Sequence, residues 1–134
     1  MFNFLRRHKS KKGPRAKRAP GETIRQADAD ALREWAAGRG PVEAYVEPET
    51  FINEMSVVVV DAAGANIRRR IGGPKGIDAV ARLLDCPVYD VEETGYPQRM
   101  REYIERERVL RNREKQRERR ARWEEANRAS GEDD

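Results

Sequence analysis

The feature that most restricts this chain is a run of nearly continuous Arg and Glu over residues 97–128, opened by a Gly95-Tyr96-Pro97 turn. Pro97 suits the first position of a helix, where its missing N–H is not needed, and no further Gly or Pro intervenes before Gly131. Met100, Tyr103, Ile104 and Leu110 recur at helical spacing with Glu107 in the remaining slot, which predicts roughly three turns lying against a core. From Arg111 to Arg122 the sole apolar residue is Ala121, so the second half is neither a coiled-coil seam nor a buried helix. It must stand in solvent or on a partner. Glu102 and Arg106, Glu107 and Arg111, and Glu118 and Arg122 are spaced to support it, at about 0.2–0.5 kcal/mol for each pair. At a rise of about 1.5 Å per residue this arm is on the order of 48 Å long.

What precedes the arm is small. Of 134 residues 39% are charged and 37% hydrophobic, which leaves room for one modest core and two appendages. Residues 1–20 carry eight Lys or Arg and no acid; 21–96 carry eight basic and fourteen acidic residues; 97–128 carry twelve and seven; 129–134 add three acids. The expected organisation is a disordered basic tail at 1–20, a small α+β domain at 21–96, the long helix at 97–128 and an acidic disordered tail at 129–134. Net charges of +8, −6, +5 and −3 follow, so two basic segments flank an acidic middle.

Within the middle, residues 22–38 place Ile24, Ala27, Ala31, Leu32, Trp35 and Ala36 on one helical face, and Gly38, Gly40 and Pro41 stop that helix. Trp35 reads as its packing anchor. Residues 42–47 alternate and end at Pro48, as an edge strand would. Val57-Val58-Val59-Val60 is too short for a helix and β-branched throughout, hence a central strand covered on both faces. A hairpin around Gly64 returns the chain through residues 66–71, whose alternation sets Arg68 and Arg70 on one face and Arg69 with Ile67 and Ile71 on the other. Ile77, Val80, Ala81 and Leu84 mark a second short helix, and residues 87–91 a last strand with a parallel partner reached by a right-handed crossover. The expected fold class is therefore α+β: a small mixed sheet, two short helices and a long charged C-terminal helix.

Chemistry-bearing motifs are few. One cysteine, Cys86, excludes an intrachain disulfide and a cysteine cluster for zinc, and reads as an inert, buried thiol suited to a reducing compartment. The only histidine, His8, lies in the basic tail, so there is no triad or multi-histidine set; no catalytic, cofactor-binding or metal-ligating group is expected. Gly72-Gly73-Pro74-Lys75-Gly76 joins a strand to a helix start, yet lacks both phosphate-loop and dinucleotide spacings and reads as a tight turn, with an anion site at Lys75 as the competing reading. Glu92 and Glu93 read as partners for Arg99 or Arg101 rather than as a general acid and base. The longest apolar run, Val57 to Val60, is far short of the roughly 20 residues that span a bilayer. Met1 to Leu5 is too short for a signal peptide and precedes its basic residues, and a cytoplasmic location is expected.

Pro87-Val88-Tyr89-Asp90-Val91 followed by Gly95-Tyr96-Pro97-Gln98-Arg99-Met100-Arg101 resembles a motif in a family of small, uncharacterised, basic bacterial proteins. The resemblance covers the strand-rich middle and the start of the arm. It implies a bacterial, cytoplasmic protein and no particular activity.

The function expected from the residues is non-enzymatic binding of RNA or a ribonucleoprotein surface by Arg111, Arg113, Lys115, Arg117, Arg119, Arg120 and Arg122 of the arm. Lys9, Lys11, Lys12, Arg15, Lys17 and Arg18 of the tail would assist, all through phosphate contact with release of counterions. Trp123, among Arg119, Arg120 and Arg122, is a candidate for stacking on a base or on a partner side chain. The alternative is a protein–protein or peripheral membrane adaptor, with Phe2, Phe4 and Leu5 meeting anionic lipid ahead of the tail's cations. A solvated spacer is the competing reading for the arm, and a solvated tail for residues 1–20.

Overall fold

Four consecutive valines organise the domain. The computed structural model describes residues 23–132, in the order α1 (Gln26–Ala36), β1 (Val42–Glu47), β2 (Met55–Asp61), β3 (Asn66–Gly72), α2 (Pro74–Leu84), β4 (Val88–Asp90), α3 (Val91–Thr94) and α4 (Gln98–Glu132). Val57, Val58, Val59 and Val60 of β2 are all fully buried. Successive side chains of a strand point to opposite faces, so burying all four requires a layer on each side of the sheet.

The sheet has the order β3-β2-β1-β4, with β1, β2 and β3 antiparallel in turn and β4 parallel to β1. This is the α+β fold with a mixed sheet. β3 runs in the direction of β1, α2 carries the chain across, and β4 emerges at the far edge with Ala44 opposite Val88 and Tyr45 opposite Tyr89. β1 is thus an interior strand, not the edge that Pro48 suggested. Pro48 stands just outside β1, so its missing N–H removes no ladder bond.

On one face, Leu32 of α1 and Val80 of α2 pack with Ala44, Val57, Val59 and Ile71, and Trp35, Ile67 and Ile77 close the margins. Ile24 joins this core from ahead of α1, whose buried residues are Ala29 and Leu32. Ala27, expected on that face, is exposed. α2 approaches β3 so closely that a Cβ on Gly76 would meet the Ile71 carbonyl oxygen at 2.1 Å. The glycine-rich turn therefore has a packing reason.

On the other face, Tyr45, Val58 and Val60 pack against Met100 of α4, with Tyr96 beside them. The arm begins as the second layer of the domain. Pro97 precedes the first helical residue and acts as its cap, its carbonyl accepting from the Met100 N–H at 3.0 Å. The packed stretch then ends earlier than the apolar spacing predicts. Met100 is 5% exposed and Tyr103 half-buried, but Ile104 is 45% and Leu110 54% exposed.

From Leu110 to Gly131 every residue is exposed. α4 has 35 residues, about 52 Å, and runs to Glu132 rather than stopping at Arg128. Its ion pairs are Glu105 with Arg108 and Glu114 with Arg117, three residues apart, in place of the pairs four apart named above. Both spacings bring side chains together on a helix surface, and exposed side chains choose between them for tenths of a kcal/mol. Among the described residues no helix is long and apolar enough to cross a membrane.

Candidate functional site

The arm has to be held before it can present anything, and carboxylates of β1 hold it. Strand alternation points Glu43, Tyr45 and Glu47 to the face that α4 covers. Glu47 is bound by Arg68 of β3 through two bonds, Nε to Oε1 at 2.7 Å and Nη2 to Oε2 at 2.8 Å. Ser56 Oγ donates to Oε1 at 2.7 Å, and the Tyr96 hydroxyl donates to Oε2. Burial by itself would raise the Glu47 carboxyl, but these donors outweigh it and hold the group at about 2. Tyr96 of the Gly-Tyr-Pro turn is thereby tied to the sheet.

One turn later, Arg99 makes the second tie. Its Nη2 donates to Glu43 Oε1 at 2.6 Å and its Nε to the Asp61 carbonyl at 2.9 Å. The Arg99 bond, with one from the Tyr45 hydroxyl, holds the Glu43 carboxyl below its ordinary value. Burial, then hydrogen bonding to Glu43, pushes the Tyr45 phenol up to about 12. Asp61 links these to the hairpin: its carboxylate accepts from the N–H groups of Ala63 and Ala65 and pairs with Arg39 at 3.0 Å. Burial opposes ionisation of Asp61, but those donors leave its carboxyl below the usual value. The hairpin tip then meets the helix, where a Cβ on Gly64 would lie 2.2 Å from the Arg99 carbonyl oxygen.

These anchors differ from the partners expected for Arg99 and Arg101. Glu92 and Glu93 are exposed in α3, and Arg101 donates instead to the Tyr96 carbonyl at 3.3 Å. Sequence reasoning missed Glu43, Glu47 and Tyr96 as a set. The available signal was the polar phase of β1, which reads as a solvent face until a helix is known to cover it.

Of the residues expected to bind, the structure places the seven arm cations together on exposed helix. Among the described residues Arg117 is the one of the seven in an ion pair. Arg111 lines a groove at the domain junction with Asn66, Tyr103, Ile104 and Glu107, whereas Arg119 and Arg120 flank a notch with Gln116 and Trp123. Lys9, Lys11, Lys12, Arg15, Lys17 and Arg18, with Phe2, Phe4 and Leu5, lie outside the described residues.

The remaining candidates have structural explanations. Trp35 packs on the core and carries the Arg39 guanidinium 4.0 Å above its ring. Cys86 is half-buried, and its thiol is pushed up by burial and by the nearby charges of Asp85 and Glu43. Lys75 is exposed at the start of α2. Among the described residues no group of three or more His, Cys, Asp or Glu could hold a metal ion. One feature had no sequence signal: the β1–β2 loop, closed by the Thr50 N–H on the Asn53 carbonyl at 2.8 Å, presents Phe51 97% exposed and Ile52 64% exposed. Comparison with protein-family models, with curated proteins and with solved structures gives no match to this chain, so its function must be argued from these residues.

Proposed function

We propose that the protein is a non-enzymatic binder of RNA or of a ribonucleoprotein surface, which it meets with the outer part of α4. One observation carries this reading: a fully exposed helical segment holds seven cations against Glu114 and Glu118 between Arg111 and Arg122, a net charge of +5. Phosphate neutralises such a segment and releases its own counterions, so the interaction weakens as salt rises. The anchor supports the role by aiming the arm away from an acidic domain that would repel RNA. Basic tail residues 9–18 would add contacts of the same kind.

The test is the salt dependence of binding to a single-stranded RNA. Replacing Arg113, Arg117 and Arg120 with Ala should weaken binding and lower the logarithmic salt slope by about 0.7 for each phosphate that is no longer neutralised. An unchanged slope would sink the assignment.

The Phe51–Ile52 loop favours a second reading, a protein adaptor. Two large apolar side chains held outward on a closed turn suit an apolar pocket on another protein. F51A/I52A would then abolish partner binding while leaving any RNA affinity intact. The membrane form of this reading rests on Phe2, Phe4 and Leu5, and liposome flotation after deletion of residues 1–5 decides it.

A further inference from the structure

Trp123 is 64% exposed and is the only large apolar side chain between Arg111 and Gly131. It lies 23 residues beyond Met100, the last buried residue among those described in the arm and about 34 Å away along the helix, so it packs nothing in the domain. An indole exposed on the helix costs the fold nothing, since the unfolded chain exposes it as well, but its flat face is open to a partner. Its position on the helix indicates which partner.

Side chains three, four, seven and eleven residues apart share one face of a helix. Asn112, Gln116, Arg119, Arg120 and Asn127 fall on the face of Trp123, and between Val109 and Asn127 that face carries no carboxylate. Glu107, Glu114, Glu118 and Glu125 share the opposite face, in line with Met100 where it meets the sheet. Over the outer part of the arm the indole's own face is therefore free of carboxylates, although Glu124 lies beside it and arginines occur all round the helix. Long helical side chains lean towards the N-terminus, which brings the indole over the preceding turn. There it forms the notch with Gln116, Arg119 and Arg120.

Resting on the RNA reading above, we infer that Trp123 is a stacking site for an unpaired RNA base, with Arg119 and Arg120 taking the phosphates on either side of it. A flat aromatic face flanked by guanidinium groups, on a helix face without carboxylates between Val109 and Asn127, matches single-stranded nucleic acid, where base stacking supplies sequence-tolerant affinity. An A-form duplex keeps its bases stacked inward and shows this surface only phosphates and sugar edges. The amides of Gln116 and Asn112 add hydrogen-bonding groups along the same path.

The experiment uses the full chain with Trp35→Phe, so that Trp123 is the only indole. Oligo(rA) and oligo(rU) of equal length are titrated singly and as their duplex while emission is followed. Each single strand should quench Trp123 and the duplex should not. In the wild-type background, Trp123→Ala should weaken single-strand binding about tenfold, leave duplex binding and the salt slope unchanged, and be largely rescued by Trp123→Phe. If Trp35→Phe fails to fold, the difference in quenching between wild type and Trp123→Phe gives the same reading. Equal affinities for wild type and Trp123→Ala, with a salt slope that still falls in Arg119→Ala/Arg120→Ala, would overturn the stacking site and leave the RNA reading standing. No binding of either strand or the duplex at low salt would remove the RNA reading, and the stacking site with it.

Discussion

Glu47 is the residue on which the arm's attachment most depends, because one carboxylate joins Arg68 of β3, Ser56 of β2 and Tyr96 of the turn. Its carboxyl sits at about 2 against an ordinary 4.5. A carboxyl depressed in the folded state stabilises fully above its unfolded value and loses that contribution as pH falls through its folded value. Stability should therefore decline from about pH 4.5 down to about 2, with Glu43 and Asp61 shifted in the same direction. Glu47→Gln should cost about 1–3 kcal/mol at neutral pH and flatten that acid limb, as read from urea midpoints between pH 7 and 2. Gly64 is the second sensitive residue, with φ at +99° and the Arg99 carbonyl oxygen 2.2 Å from where a Cβ would stand. Gly64→Ala adds left-handed strain to a steric clash and should cost at least about 2 kcal/mol in thermal unfolding. Amide exchange at Met100 and Tyr103 should quicken with it.

As an element, α4 is two helices in physical terms, although its hydrogen bonding is continuous. Its first three turns are held by burial of Met100 and by the Tyr96 and Arg99 ties. The rest has only local support, such as the pair of Glu114 and Arg117, worth a few tenths of a kcal/mol. Glu118→Pro, in the interior of the exposed part, should cost the helix about 3 kcal/mol and lower the ellipticity at 222 nm. The unfolding midpoint of the domain, followed by Trp35 fluorescence in a Trp123→Phe background, should stay where it was. A coupled drop in both signals would mean that the arm packs on the domain beyond Leu110.

For the whole molecule, charge and shape act together. The acidic segment 21–96 carries −6, and the arm carries its +5 between Arg111 and Arg122 out past the end of the sheet. On the RNA reading proposed above, a phosphate chain would be attracted to the outer arm and repelled by the domain, which would confine it to one part of the surface. A chain ending at Leu110 should keep the domain's denaturant midpoint, because among the described residues none beyond Met100 is buried. If the proposed RNA binding holds, it should also lose most of its affinity for single-stranded RNA, measured by fluorescence anisotropy at two salt concentrations.

By itself the sequence determined the elements and the exposed arm. Val57 to Val60 had to form a doubly covered strand, the Gly-Tyr-Pro turn had to start a helix, and the absence of an apolar stripe after Leu110 had to leave that helix in water. These follow from local sterics and from the period of apolar residues, which a linear chain displays directly. Only the tertiary structure decided what the polar positions do. β1 became interior because α2 delivered β4 to its free edge, and Glu43 and Glu47 became anchors because α4 crosses their face. Ile104 and Leu110 were left exposed because the close packing of α4 on the sheet is confined to Met100 and its neighbours. A carboxylate's role depends on which donor is brought within about 3 Å of it, and that distance exists only once segments far apart in the chain have packed together.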